Sequence, residues 1–324
     1  MTIFKLKIGV IFLLLFSSGV VAVQAGSDFS SWLAEFQQEA HAEGISQATL
    51  EAHLENLRPN PKVRELDRSQ LSRKDGKPLS FNDYLERMVP DFRVRTAREK
   101  LSKYRSLFQD IADRFKVEPA FVVALWAIES DFGRRNGSFP VVAALATLAH
   151  EGRRGNFFRS ELMQLLKLID TGVITNPEPK GSWAGAMGQV QFMPSAYKAF
   201  AIDFDGDGEN DLWNSLPDAL GSAANYLSQV GWKDRRGWGQ RVKLPKGFKL
   251  SKIGLDQIRS QKEWRRMGIK GIKGPGSRKA AIIAPDGAAG PAFLVYDNFN
   301  VIRRWNRSSY FALAVCHLAE QIVN

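Results

Sequence analysis

The stretch that most constrains the fold is Pro119 to Gly133, Pro-Ala-Phe-Val-Val-Ala-Leu-Trp-Ala-Ile-Glu-Ser-Asp-Phe-Gly. Phe121, Val122, Leu125, Ile128 and Phe132 recur at three- and four-residue spacing, which predicts a helix with one buried face. Pro119 suits the first turn, where its missing N–H costs nothing, and Gly133 suits the C-terminal cap. Glu129 interrupts the apolar face, in line with Leu125 and Val122. One reading is a general acid, because apolar surroundings disfavour the charged carboxylate and raise its pKa. The other is a buried glutamate paired with Arg134, Arg135, Arg153 or Arg154. The helix alone does not separate them.

The chain of 324 residues is long enough for one large core or two modest ones. Its formal net charge of +11 points to a polyanionic partner. The N-terminus narrows the choice. Lys5 and Lys7 precede the apolar run Ile8 to Phe16, and small residues lead to Val23-Gln24-Ala25. This order is that of a cleaved signal peptide over residues 1–25, with a run too short to span a membrane. No Cys stands near the cleavage point, so no lipid anchor is expected there. Export disfavours nucleic acid and favours an acidic cell-wall polymer. Cys316, the single cysteine, sits in an apolar run and reads as a small buried hydrophobe. His41, His53, His150 and His317 show no metal spacing, and no Gly-x-Ser-x-Gly elbow is present. Zinc and serine hydrolase chemistry are therefore disfavoured.

Residues 26–116 read as helices, including an amphipathic one from Ser30 to Glu43 and helical spacing from Phe81 to Phe115. A polar connection from Leu57 to Ser80 separates them. After the Glu129 helix come a small-residue helix, Phe139 to Leu148, and a charged stretch, Glu151 to Glu161, holding Arg153-Arg154 between glycines. That pair is either a solvated turn or a carboxylate clamp. Gly181 to Ser195 combines close glycines with Trp183, Met187, Phe192 and Met193, and with the amides of Gln189 and Gln191. Sugar sites use such a mixture, and so do helix-packing turns.

Asp203-Phe-Asp-Gly-Asp-Gly-Glu-Asn-Asp-Leu-Trp213 places Asp at loop positions one, three and five and Gly at six, the EF-hand calcium pattern. Glu209 stands where the backbone carbonyl is usual. Asn214 replaces the bidentate Glu at position twelve, with Asp218 as its substitute. A structural metal at 203–218 is expected, with no cofactor for chemistry. Asp218 to Val230 reads as a helix, 231–300 as a small antiparallel sheet with strands at 240–244, 280–284 and 292–296, and 301–324 as a helix returning to the core.

These pieces together resemble the lytic murein transglycosylase B family, whose catalytic domain has a lysozyme-like core. Glu129-Ser130 with Phe132-Gly133, Arg153-Arg154, Gly185-Ala-Met-Gly188, Gln191-Phe-Met-Pro-Ser195, Asp203 to Trp213, Ala224-Asn-Tyr226 and Trp305-Asn306 occur in the family's order. The resemblance covers essentially the whole chain after the leader. It implies a mainly α (α+β) fold: a lysozyme-like helical core at 117–230, an N-terminal helical part and a small antiparallel β subdomain. It implies periplasmic cleavage of the β-1,4 bond between N-acetylmuramic acid and N-acetylglucosamine, with 1,6-anhydromuramoyl products and Glu129 as acid, then base. It places Tyr84, Arg153, Arg154, Ser182, Gln191, Tyr226 and Asn306 along the glycan, and Ca2+ at Asp203, Asp205, Asp207, Glu209 and Asp218. Where the family groove can carry Tyr, this chain has Phe157. The implied partners are peptidoglycan strands and wall-remodelling proteins, with the chain acting as a monomer. A hydrolase on the same scaffold and a non-catalytic wall-binding protein remain as alternatives. The hydrolase needs a second carboxylate, and Glu151 and Glu161 lie in a polar stretch.

Overall fold

Buried side chains at helical spacing organise the chain around one core, to which nearly every element contributes. The computed structural model describes residues 28–69, 79–151 and 154–323. The expected leader, part of the 57–80 connection and Arg153 lie outside the described residues. The N-terminal helices are α1 (Phe29–Ala42), α2 (Gln47–Leu54), α3 (Pro61–Ser69), α4 (Phe81–Met88), α5 (Asp91–Lys103) and α6 (Arg105–Phe115). The Glu129 helix is α7 (Pro119–Ser130). It is followed by β1 (Phe139–Pro140), α8 (Val141–Glu151), α9 (Gly155–Asp170), β2 (Lys180–Gly181), α10 (Pro194–Phe200) and α11 (Leu216–Gln229). Then come β3 (Gly239–Val242), β4 (Gly254–Ser260), α12 (Gln261–Arg266), β5 (Lys279–Ile283), β6 (Ala292–Val295), α13 (Asp297–Trp305) and α14 (Ser309–Val323). The mainly α architecture, with a small four-stranded antiparallel sheet and the two-stranded β1–β2 pair, is the expected fold class.

Helix α7 differs from the amphipathic helix expected. Every residue from Ala120 to Ala127 is buried, because α5, α6, α11 and α14 surround it. A helix apolar all round belongs inside a core. Its cap is also not Gly133: the chain turns left-handed at Asp131, and Phe132 and Gly133 follow at φ 61° and 78°. Ser130 fixes this turn. Its Oγ accepts from Gly133 N at 2.9 Å and donates to Gln189 O at 2.5 Å.

Other boundaries shift for local reasons. The 57–80 connection contains α3, anchored by the fully buried Val63. The 81–115 stretch is three helices, and the charged stretch after Glu151 opens α9. The single C-terminal helix expected from 301 is two. Asn306 leaves helical geometry and its Oδ1 accepts from Ser308 N at 3.0 Å. That break leaves Trp305 at the end of α13.

The four-stranded sheet runs β3-β6-β5-β4, all antiparallel; β4 was not anticipated. Its two faces separate by alternation. Ala281, Ile283, Phe293 and Val295 join the main core, while Ala280, Ile282, Ala292 and Leu294 join a small second core with Trp264, Ile269 and Tyr296. The sheet side buttresses α4. Phe81 packs edge-on against Phe293 at 5.6 Å, and Phe81 N donates to Asp286 Oδ2 at 2.9 Å. No helix among the described residues is long and apolar enough to cross a membrane.

Candidate active site

Glu129 sits in the last turn of α7, and the indole Nε1 of Trp305 donates to its Oε1 at 2.7 Å. Burial pushes the Glu129 carboxyl up from 4.5 to about 7, and the Trp305 hydrogen bond pulls against that rise. Among the described residues no arginine is ion-paired with Glu129. Arg134 and Arg135 turn to Asp131 instead, with Arg134 Nη2 at 3.0 Å from Oδ1 and Arg93 at 3.8 Å.

Trp305 links three chain-distant pieces. Its ring lies 4.9 Å from Tyr226 of α11 and 5.2 Å from Phe192, and Phe192 lies 5.9 Å from Tyr226. Tyr84, on α4, completes the group. Its phenol is pushed up by burial and by the Glu129 charge, and its ring stands 5.6 Å from Tyr310. The predicted Glu129, Tyr84 and Tyr226 are thus brought together, with Asn306 exposed one residue beyond Trp305. Trp305 itself entered the sequence reading only as part of a motif. The signal that could have found it is a Trp at a helix end, a donor-only side chain suited to a carboxylate.

The glycine-rich stretch folds as a tight hairpin beside this group. Met187 and Phe192 exchange backbone bonds at 2.8 and 3.0 Å. A Cβ on Gly137 would come within 2.0 Å of the Gly181 carbonyl, and one on Gly188 within 2.6 Å of Leu212 O. Only glycine permits such approaches. Ser182 Oγ accepts from Ala186 N at 3.0 Å, which leaves its proton to donate. Gln191 sits at φ 52°, with Nε2 donating to Gly188 O at 2.9 Å and Asn136 O at 3.2 Å.

Gln189 corrects the sequence reading. It is buried, its Oε1 accepts from Trp126 Nε1 at 3.0 Å, and its Nε2 donates to Trp213 O at 3.2 Å. Both ends of the amide tie α7 to the 203–213 loop. Arg154 is exposed, and its guanidinium covers the Phe157 and Phe158 rings at 5.6 and 4.9 Å.

The other carboxylates are engaged elsewhere. Glu151 is ion-paired with Arg64 and, at 3.8 Å, with Arg68. Glu161 stands in a polar stretch of sequence, yet it is 4% exposed. It accepts from Ser195 N at 2.8 Å and Ser195 Oγ at 2.7 Å, holding the first turn of α10. Its three-residue spacing from the buried Phe158 puts it on the same face of α9, and α10 packs over α9.

Asp203, Asp205, Asp207 and Asp218 each bring a carboxylate oxygen to within 4.8 Å of the others. Oxygens on opposite sides of one Ca2+ stand roughly 4.6–5.2 Å apart, so a single ion can touch all four. Asp203 is held below the usual carboxylate range mainly by the Gly208 N–H, whereas burial pushes Asp218 up. Asp218 is fully buried and accepts from Phe204 N at 2.8 Å and Asp211 N at 2.9 Å. Asn214 bonds to Asp211 instead of the cluster. The Glu209 carboxylate is not among the four, and its N–H donates to Asp207 Oδ1 at 2.9 Å.

A partly buried glutamate at a helix end, beside the rings of Trp305, Tyr226 and Phe192, stands in a mainly helical core of lysozyme-like architecture. The chain belongs to the Transglycosylase SLT domain family, whose model matches residues 28–320. It is 34% identical over 216 residues to membrane-bound lytic murein transglycosylase B of Escherichia coli (strain K12), spanning 64% of this chain and 58% of that relative's length. The structure is similar to that of SltB3 from Pseudomonas aeruginosa in complex with NAG-NAM-pentapeptide, with TM-score 0.85 and 39% identity, over 92% of this chain and 80% of that one. It is also similar to the Escherichia coli lytic transglycosylase SLT35 in complex with calcium, with TM-score 0.79 and 27% identity, over 92% and 95% of the two chains.

Proposed function

We propose that the protein is an exported, periplasmic lytic murein transglycosylase that cuts the β-1,4 bond between N-acetylmuramic acid and N-acetylglucosamine. The observation that carries this is the Glu129 carboxyl, with a pKa of about 7 and, among the described residues, the donor-only Trp305 indole as its hydrogen-bond partner. An indole N–H cannot accept a hydrogen bond, so Oε1 is an acceptor in both protonation states and the proton resides on Oε2. Oε2 then protonates the departing glycosidic oxygen. The resulting carboxylate takes the proton from the muramoyl C6 hydroxyl as that oxygen attacks C1, closing the 1,6-anhydro ring. Attack from within the same sugar gains over water by proximity. One carboxylate serves both steps, and Glu151, Glu161 and Asp131 are each committed to other partners.

Tyr84, Tyr226, Ser182, Gln191 and Asn306 would line the glycan, with Arg153 and Arg154 toward its peptide. Asp203, Asp205, Asp207 and Asp218 would hold Ca2+, with Glu209 contributing its backbone carbonyl. That ion would fix the loop against α11 and take no part in the chemistry. Residues 1–25 would be removed on export. Mass spectrometry of peptidoglycan digested by the protein and by Glu129→Gln tests the reading. Anhydro products lighter by one water, absent with the variant, support it; reducing-end products make the protein a hydrolase.

A further inference from the structure

The positive charge of this protein is concentrated in one place. Residues 231–300 hold sixteen Lys and Arg against five Asp and Glu, while everything outside balances at twenty-nine of each. Within the sheet part, the loop 270–276 lies between β3 and α12. Lys243 and Lys270 exchange backbone bonds at 2.9 and 3.0 Å, and Gln240 holds Lys273 N at 2.6 Å. From the other side, Arg265 Nη2 donates to Gly274 O at 2.7 Å and Lys262 N donates to Gly276 O at 2.9 Å. Lys243, Lys262, Arg265, Lys270 and Lys273 are therefore gathered on one exposed rim. Among the described residues none of the five has a carboxylate within 4.0 Å; the ion pairs within 231–300 are Lys233 with Asp297 and Arg235 with Asp234. Glu263, the acid of α12, is occupied by Ser260 in a capping box.

Protection of a sheet edge by lysine accounts for Lys243, one residue beyond the edge strand β3. It does not account for Lys270 directly opposite, since like charges across a bridge repel. We propose that this rim is a second, non-catalytic docking surface for the carboxylate-bearing peptides of the peptidoglycan network. This rests on the proposed activity. The ligand of the similar SltB3 structure is a sugar with a pentapeptide, and a peptide chain ends in a carboxylate. An acidic membrane surface fits less well. The exposed large apolar side chains of this part, Leu250 and Ile258, lie at the β4 side, across the sheet from β3. Many weak carboxylate contacts would keep the enzyme on an insoluble polymer between cleavage events.

The test compares the exported chain with Lys243→Gln/Lys270→Gln/Lys273→Gln. Intact sacculi are pelleted at low and high salt, and cleavage is followed on sacculi and on a short soluble glycan fragment without peptide. Retention on sacculi at low salt is expected to fall about tenfold in the variant, and its salt dependence to flatten. Cleavage of sacculi falls with it, and cleavage of the soluble fragment stays unchanged. Equal pelleting of both proteins overturns the proposal, as does loss of the soluble activity in a variant with unaltered circular dichroism. Rim-dependent binding to phosphatidylglycerol vesicles with sacculus retention intact also overturns it, in favour of a lipid surface. A wild type that cuts neither substrate defeats the proposed activity, while the pelleting comparison still decides the docking surface.

Discussion

Trp305 Nε1 reaches Glu129 Oε1 across 2.7 Å from a position 176 residues away in the chain. The bond lowers the Glu129 pKa against the larger effect of burial. Trp305→Phe removes the donor and keeps an aromatic ring, so the Glu129 pKa moves up from about 7. The alkaline limb of the pH–rate profile then shifts to higher pH. Turnover falls, by about tenfold, because the carboxyl can rotate and its proton is no longer confined to Oε2. An unshifted limb in the pH profile would refute the positioning role.

Glu129 also makes stability depend on pH. Its folded pKa of about 7 exceeds the ordinary 4.5, so between these values the folded state holds a proton that the unfolded state has released. Stability therefore falls as pH rises through this window, by about 3 kcal/mol in all. Glu129→Gln removes the dependence. Its melting temperature is expected to exceed that of the wild type at pH 8 and to converge with it below pH 4.5, while activity falls about 100- to 10,000-fold. Parallel melting curves across pH would contradict the burial argument.

Glu161 distinguishes a structural carboxylate from a second catalytic one. Glu161→Leu leaves Ser195 N and Oγ without their acceptor, at a cost of about 1–3 kcal/mol. The fraction still folded keeps the wild-type pH profile and product. Activity lost with the melting temperature unchanged would instead mark Glu161 as chemical.

Chelation acts on the loop at 203–218. Four carboxylates converge there and repel one another without a cation. Removing an ion present at about 100 times its Kd costs about 2.7 kcal/mol. Calorimetry should show a lower melting temperature, with turnover at 25 °C little changed. A folded, metal-free sample without activity would refute the purely structural role.

Gly137 tests the close approach of the loop after α7 to β2. Its φ is 91°, and a Cβ would meet Gly181 C and O at 2.0 Å. Gly137→Ala must displace the strand pairing of β1 with β2, and a loss of more than about 2 kcal/mol is expected in denaturant titration.

Local information in the sequence was enough for the apolar stretch that forms α7, the glutamate within it, the Asp-x-Asp-x-Asp-Gly loop and the mainly α class. Each depends on spacing or on turn chemistry within a dozen residues, where neighbouring side chains decide the outcome. Tertiary structure alone decided the rest. Gln189 and Gln191 look alike in sequence, yet Gln189 is spent between Trp126 and Trp213, because α7 and the loop close over it. Glu161 is buried by α10, and Glu129 finds Trp305 because the helix expected over 301–324 breaks at Asn306. A carboxylate's pKa and partners are set by the groups around it in space, and the chain brings those from positions that no local spacing relates.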